Sequence, residues 1–248
     1  MSGLSYLCDY GDSEESDTEN TKPKKVKLRT PDLSGVALIP IENHVDDPEL
    51  HDGRYRTFPH VRGNWASYAY FKYPRETSLL NLIDKLQVAL ASVGEVSHKC
   101  DDLHISISKT VVLKYHMITT FTESLREAFA KFESFELSFD SVDVYVNEDN
   151  SRTFIALKAD FFSNKFLLKS TQIVDEVLAA FSLPKYYDDP SFHMSIIWFN
   201  GDCKQKILEL IEKLNKTLSK HTENNREIVL IHKVHCKIGN KYFQFQLD

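Results

Sequence analysis

The same pattern occurs twice in this sequence, as Leu103-His104-Ile105-Ser106-Ile107-Ser108 and as Phe192-His193-Met194-Ser195-Ile196-Ile197-Trp198. Each stretch reads apolar, His, apolar, Ser, apolar, and this alternation predicts a β-strand with one buried face. Alternate residues of a strand point to opposite faces, so the apolar side chains, Trp198 included, are expected to pack together. The polar side chains then project from the other face, namely His104, Ser106 and Ser108 on the first strand and His193 and Ser195 on the second.

The hydrophobic periodicity around these stretches predicts an α+β fold. Four helices are expected around residues 79–93, 118–132, 166–181 and 207–218, with Gly94 ending the first. Strands are expected at 65–73, 103–108, 135–139, 142–146, 153–158, 192–199, 228–236 and 242–247. Strands grouped in pairs and threes do not fit a doubly wound parallel sheet, so we predict mostly antiparallel sheets. Each amphipathic helix is expected to cover one sheet face and leave the other free.

When two histidines lie on facing strands, one can act as the general base and the other as the general acid. Imidazole titrates near pH ~6.5, so one ring can be neutral while the other is protonated. Cleavage of an RNA phosphodiester needs one proton taken from the attacking oxygen and one given to the leaving oxygen. The serine two residues after each histidine can hydrogen-bond a phosphate oxygen. A single His-x-Ser strand is commonly structural, so the prediction depends on the pair; it requires no metal and no other cofactor.

The first 50 residues differ in composition from the rest. Residues 1–20 carry six acids and no base, which predicts a disordered segment. The run Lys22-Pro23-Lys24-Lys25-Val26-Lys27-Leu28-Arg29 follows, and it reads either as a solvated linker or as a nuclear import signal. We therefore predict a disordered acidic and then basic tail over 1–50 and a single folded domain over 51–248.

The charge of the chain limits how it can bind a polyanion. The formal net charge is −6. The six acids of residues 1–20 and the five bases of residues 22–29 nearly cancel, so most of this charge lies in the rest of the chain, which is mildly acidic. A broad basic face that binds long RNA by counterion release is therefore not expected, whereas a narrow cleft for a chain end fits this charge. No stretch approaches the ~18 apolar residues of a membrane span, so no membrane association is expected.

Several longer motifs resemble one known family. They are Arg54-Tyr55-Arg56-Thr57-Phe58-Pro59-His60-Val61-Arg62-Gly63-Asn64-Trp65-Ala66, Arg152-Thr153-Phe154-Ile155-Ala156-Leu157, Tyr187-Asp188-Asp189-Pro190-Ser191-Phe192-His193-Met194-Ser195 and Cys236-Lys237-Ile238-Gly239-Asn240-Lys241-Tyr242-Phe243. With the two His-x-Ser strands they resemble the 2H (two-histidine) phosphoesterase superfamily and, within it, the U6 snRNA phosphodiesterases. The resemblance covers residues 54–248.

The resemblance implies a bilobal fold of two pseudo-symmetric lobes around a central cleft. It implies a nuclear 3′→5′ exoribonuclease that trims uridines from the 3′ end of U6 snRNA and leaves a 2′,3′-cyclic phosphate or a monophosphate. The expected partner is the 3′ end of a single-stranded RNA, with no DNA and no membrane, and the protein is expected to be a monomer.

The resemblance also assigns roles to individual residues. His104 and His193 match the catalytic pair; we favour His193 as base and His104 as acid, with the reverse left open. Ser106 and Ser195 match the phosphate-binding hydroxyls, Tyr187 matches an aromatic residue that stacks on the terminal base, and Ser191 is a further candidate contact. Glu148 stands where the family pattern has an amide, which puts the base preference at that contact in doubt.

Two other functions remain open on the sequence. One is a 2′,3′-cyclic phosphodiesterase that acts in the repair of other RNA ends. The other is a non-catalytic RNA-binding adaptor that keeps the fold. The presence of two intact His-x-Ser copies argues against it.

Overall fold

The computed structural model describes residues 61–223 and 228–248. The predicted tail over 1–50 and the segment 51–60 lie outside these ranges. The strands are β1 Asn64–Lys72, β2 Ser97–Lys99, β3 His104–Ser106, β4 Val111–Lys114, β5 Phe135–Leu137, β6 Phe139–Val146, β7 Arg152–Ala159, β8 His193–Asn200, β9 Val229–Ile231, β10 Lys233–Ile238 and β11 Lys241–Gln246. The helices are α1 Thr77–Leu90, α2 Ile118–Phe129, α3 Phe161–Ala180, α4 Lys204–Leu208 and α5 Ile211–Thr222.

A nine-stranded antiparallel sheet organises the described chain, and β5 pairs with β9 in a second, two-stranded sheet. The strand order of the large sheet is β11-β10-β1-β3-β8-β7-β6, with β4 added beside β1 and β2 beside β8. The order divides between β3 and β8 into β10-β1-β3 and β8-β7-β6, so the two His-x-Ser strands lie at the centre and each belongs to one half. The predicted α+β fold with two pseudo-symmetric halves is thus confirmed.

The helices cover the apolar face of the sheet and leave the polar face open. Their inward side chains join those of β3 and β8 in one core, for example Leu82 of α1, Leu125 of α2 and Leu167 of α3. Helix α1 ends at Leu90 and is followed by a 3₁₀ turn, Ala91–Val93, which ends at Gly94 in a left-handed conformation, φ 83°; the predicted helix end at Gly94 is thus the end of this turn. None of the helices in the described ranges is long and apolar enough to cross a bilayer.

The structure differs from the prediction in one helix and three places in the strands. The strand expected at 228–236 is two strands, β9 and β10. The fourth helix is divided into α4 and α5, because the Leu210 amide donates to the carbonyl of Ile207, three residues back, and this tighter turn interrupts the α-helical hydrogen bonding. The strands β2 and β4 were not predicted, since each has only three or four residues and no long alternation.

Candidate active site

The two His-x-Ser strands are direct neighbours. Ile105 of β3 pairs with Met194 of β8 in antiparallel register. Continuing this register by one residue in each direction sets each histidine opposite the serine of the other strand, at a Cβ separation of about 4.5–5.5 Å. Ile105 and Met194 are themselves fully buried on the helix side. The polar face therefore carries one group of four side chains, which we call the His-Ser cluster: His104, Ser106, His193 and Ser195.

Both imidazole rings are fixed in the same way. Nδ1 of His104 lies 2.9 Å from the carbonyl oxygen of Asp102, and Nδ1 of His193 lies 2.6 Å from that of Ser191. A carbonyl oxygen can only accept, so each ring donates through Nδ1–H. This leaves Nε2 of each ring available to accept or donate a proton at the substrate.

His193 is enclosed by an aromatic ring that sequence reasoning missed. Tyr145 of β6 stacks on it, with ring centroids 3.6 Å apart and an interplanar angle of 14°. The Tyr145 hydroxyl also lies 2.7 Å from Oγ of Ser191. Burial lowers the pKa of His193 below its ordinary value; the Ser191 carbonyl and Asp143 act in the opposite direction, and the electrostatic interaction with His104 lowers it further. His193 is therefore held as the neutral ring at neutral pH.

His104 lies against aromatic rings of the first half of the sheet. Its ring centroid is 5.2 Å from that of Tyr70, in an edge-on arrangement, and 5.9 Å from that of Tyr68. His235 stacks on Tyr70 at 5.4 Å. Burial, with a contribution from the Asp102 carboxylate, raises the pKa of Tyr70 to about 12, so this phenol stays neutral.

The two serines of the cluster are available to a ligand. Within residues 61–223 and 228–248, neither the Ser106 nor the Ser195 hydroxyl makes a hydrogen bond, and both residues are half-buried. Ser108 differs, although the alternation placed it on the same face. Strand β3 ends at Ser106, and the buried Ser108 hydroxyl accepts a 2.8 Å hydrogen bond from the backbone amide of Ala69. Ser108 therefore has a structural role.

Trp198 lies on the opposite face from the one the alternation predicts. Ala156 and Phe154 are two residues apart on β7, but their partners on β8, Ser195 and Trp198, are three apart. This β-bulge adds one residue to β8 and reverses its alternation. Trp198 therefore shares the face of the His-Ser cluster, where it is only 6% exposed and stacks on the ring of His98.

A pocket of about 510 Å³ brings together Tyr187 and Glu148, as well as Lys109 and Arg152, which sequence reasoning did not select. The Tyr187 hydroxyl donates to Oε1 of Glu148 at 3.2 Å. The Lys109 ammonium lies 4.0 Å from the centroid of the Tyr187 ring, which is 48% exposed. We call this the Tyr187 pocket.

The residues that sequence reasoning missed carry no local signature. Tyr145 belongs to an ordinary alternating strand, and Lys109 stands in a short loop after β3. Only the sheet order brings Tyr145 to His193, since β6 and β8 both pair with β7. Among the described residues, no group of three His, Cys, Asp or Glu side chains is placed to hold a metal ion.

Solved structures share this fold. Usb1 of Kluyveromyces marxianus matches with a TM-score of 0.55 at 14% identity, over 73% of this chain and 97% of that one. The same protein with uridine monophosphate matches with a TM-score of 0.54 at 13% identity, over 73% and 98%. At these identities the likeness concerns the fold.

Sequence relatives define the family. The HVSL family, described as an uncharacterised conserved protein, matches residues 37–246. U6 snRNA phosphodiesterase 1 of Drosophila melanogaster is 32% identical over 97% of this chain and 99% of its own length. The Homo sapiens protein of the same name is 34% identical over 83% and 78%. The chain therefore belongs to the U6 snRNA phosphodiesterase family, a family of enzymes with the 2H phosphoesterase fold.

Proposed function

We propose that this protein is a 3′→5′ exoribonuclease that trims the oligouridine 3′ end of U6 snRNA by two-histidine acid–base catalysis. The observation that carries the proposal is the antiparallel register of Ile105 and Met194, which sets two histidines and two serines on one open face. The family relationship supports U6 snRNA as the substrate.

The first step is transfer of a proton to His193. Its Nδ1–H is already donated to the Ser191 carbonyl, so Nε2 carries the lone pair that accepts the proton of a ribose 2′-OH. The lowered pKa keeps this ring neutral and able to act as the base. The 2′ oxygen then attacks the adjacent phosphorus.

The second step is loss of the terminal nucleoside. The bond from phosphorus to the 5′ oxygen breaks, and His104 donates its Nε2 proton to that oxygen. The shortened RNA is left with a 2′,3′-cyclic phosphate. If water then opens the cycle, the roles of the two histidines are exchanged and the product is a terminal monophosphate.

The serines and the Tyr187 pocket hold the substrate for these steps. Ser106 and Ser195 donate hydrogen bonds to the non-bridging phosphate oxygens, where negative charge develops. The terminal base stacks on Tyr187, on the side away from the Lys109 ammonium. Ser191 acts mainly behind His193, through its carbonyl and its contact with Tyr145.

The same chemistry restricts the substrates and the cofactors. The two imidazoles supply both proton transfers, so the reaction needs no metal ion, and DNA lacks the attacking 2′-OH. We also propose that the protein acts as a monomer in the nucleus, to which the basic run Lys22–Arg29 directs it.

The test is incubation of the purified protein with a uridine-tailed RNA in EDTA, followed by mass spectrometry of the 3′ ends. Stepwise loss of uridines with new cyclic phosphate or monophosphate ends supports the proposal. Opening of a supplied 2′,3′-cyclic phosphate without shortening would instead identify an end-repair phosphodiesterase. Binding of the RNA without any chemical change would identify an adaptor.

A further inference from the structure

A second pocket, of about 620 Å³, includes Asp102, two residues before His104. Three aromatic rings line it, those of His98, Trp198 and Phe154, together with the exposed acids Asp101 and Asp102 and the cations Lys99 and Arg152. We call it the His98 pocket. The proposed chemistry does not use any of these side chains.

The His98 pocket lies on the same face of the sheet as the His-Ser cluster. Phe154, Trp198 and His98 are directly opposite one another on β7, β8 and β2, and the bulge places this row on the face of Ser195. Asp102, whose carbonyl holds His104, lines the pocket as well. Its other border is shared, because Arg152 lines both the His98 pocket and the Tyr187 pocket.

The aromatic floor is arranged to receive a planar group. The His98 ring lies flat on Trp198, with centroids 4.3 Å apart and an interplanar angle of 16°. Because Trp198 is 6% exposed and His98 is half-buried, the outer face of His98 is the one that a ligand can reach. The Arg152 guanidinium lies 5.6 Å from the centroid of Phe154. Such surfaces stack on nucleobases with little dependence on their identity.

The proposed reaction needs a second nucleotide to be bound next to the terminal one. A scissile phosphate joins two nucleotides, and the attacking 2′-OH belongs to the one on its 5′ side. The Tyr187 pocket holds only the terminal nucleotide. The penultimate ribose must be fixed separately, since attack requires its hydroxyl to be within about 3–3.5 Å of the phosphorus and in line with the leaving oxygen.

We propose that the His98 pocket binds the penultimate nucleotide of the RNA, with its base stacked on His98; this rests on the function proposed above. The two acids of the lining, Asp101 and Asp102, are matched by two cations, Lys99 and Arg152, so the pocket has no net positive charge to attract a phosphate. The flat rings favour the base instead, while the phosphate remains at the serines. Stacking without a matched set of hydrogen bonds makes this position tolerant of base identity.

The test is a binding measurement that no turnover disturbs. A uridine-tailed RNA with 2′-deoxyuridine at the penultimate position lacks the attacking hydroxyl and stays intact. His98→Ala is expected to raise its Kd about 5- to 150-fold, the range that follows when one stacked base is lost. His98→Phe retains a flat ring and should stay close to wild type. His232→Ala, at an exposed histidine outside both pockets, serves as the matched control.

Removal of single bases from the RNA then identifies the nucleotide that His98 contacts. With an abasic penultimate residue, the penalty of His98→Ala should vanish, whereas with an abasic terminal residue it should persist. Tyr187→Ala should give the opposite pattern. The assignment would be overturned if His98→Ala did not raise the Kd at all. It would also be overturned if the increase persisted without the penultimate base, or if it vanished only without the terminal base.

The assignment and the proposed function fail separately. If the wild-type protein does not shorten an all-ribose uridine-tailed RNA, the proposed function is wrong, whatever the binding data show. If it shortens that RNA but His98→Ala shows no coupling to the penultimate base, only the assignment of the His98 pocket is wrong.

Discussion

Ile105 pairs with Met194, and through this pair the two halves of the sheet are joined in a register that sets His104 opposite Ser195. The same register sets Ser106 opposite His193. Each half thus supplies one histidine and one serine, and each histidine has the serine of the other half as its cross-strand neighbour. Both rings donate Nδ1–H to the carbonyl two residues before them, so both present Nε2 to the open face.

The pH profile tests the role of His193. If the neutral ring is the base, kcat/KM falls as pH falls through the pKa of His193, which burial lowers from 6.5. We expect the midpoint of the acidic limb, measured with a uridine-tailed RNA, to lie below 6.5. A midpoint above 6.5 would contradict the assignment of His193 as the buried base.

The same pKa affects folding stability. The folded state holds the proton of His193 less tightly than the unfolded state. The contribution of this neutral ring to the free energy of unfolding is therefore fully present above pH 6.5. It is lost as pH falls through the lower folded value. Urea unfolding at several pH values should show this loss in the wild type and a smaller loss in His193→Ala. Equal pH dependence in the two proteins would contradict the lowered pKa.

Tyr145 is expected to position His193. Tyr145→Leu removes the stacked ring and admits water, so kcat should fall on the order of tenfold and the acidic midpoint should move up toward the ordinary histidine value. Tyr145→Phe keeps the ring and removes only the hydroxyl bonded to Ser191, so both quantities should change much less. If the two variants have the same kcat and pH profile, the stack has no such role.

The local pattern of each His-x-Ser strand predicts its polar face as far as His104, Ser106, His193 and Ser195. It fails at Trp198, because the bulge that reverses the alternation arises from pairing with β7, a contact distant in sequence. Tyr145 and Arg152 were missed for the same reason: their functional neighbours are set by strand order. Local alternation was also wrong at Ser108, because β3 ends at Ser106 and the chain no longer alternates beyond it. Alternation was thus reliable only within the strand, and it did not reveal residues that depend on cross-strand pairing.

Glu148 should weaken discrimination between uridine and cytidine at the terminal position. Its carboxylate can accept from uracil N3–H or from the cytosine amino group, but it cannot donate to uracil O4. Glu148→Gln supplies a donor and should raise the uridine to cytidine ratio of kcat/KM by several-fold, measured in competition between two RNAs that differ in their last base. An unchanged ratio would place Glu148 outside the base contact.

The turn between β10 and β11 depends on Gly239. Its φ is 57°, and a Cβ there would lie 2.7 Å from Cε3 of Trp65. Gly239→Ala should destabilise the fold by about 2–3 kcal/mol, since it adds a ring clash to the left-handed backbone. Gly94 has φ 83° and no atom within 4 Å of such a Cβ, so Gly94→Ala is the matched control and should cost only about 1 kcal/mol. Thermal unfolding that shows equal losses would contradict this difference.

The two-histidine mechanism is tested most directly by comparing four proteins: the wild type, His104→Ala, His193→Ala and the double variant. Each is incubated with a uridine-tailed RNA in EDTA, and the 3′ ends are identified by mass spectrometry. The wild type should release uridines one at a time, and each single variant should be slower by about 10²–10⁴-fold. The double variant should be little worse than either single variant, because the two rings act as a unit. Trimming by the double variant at the wild-type rate would contradict the mechanism.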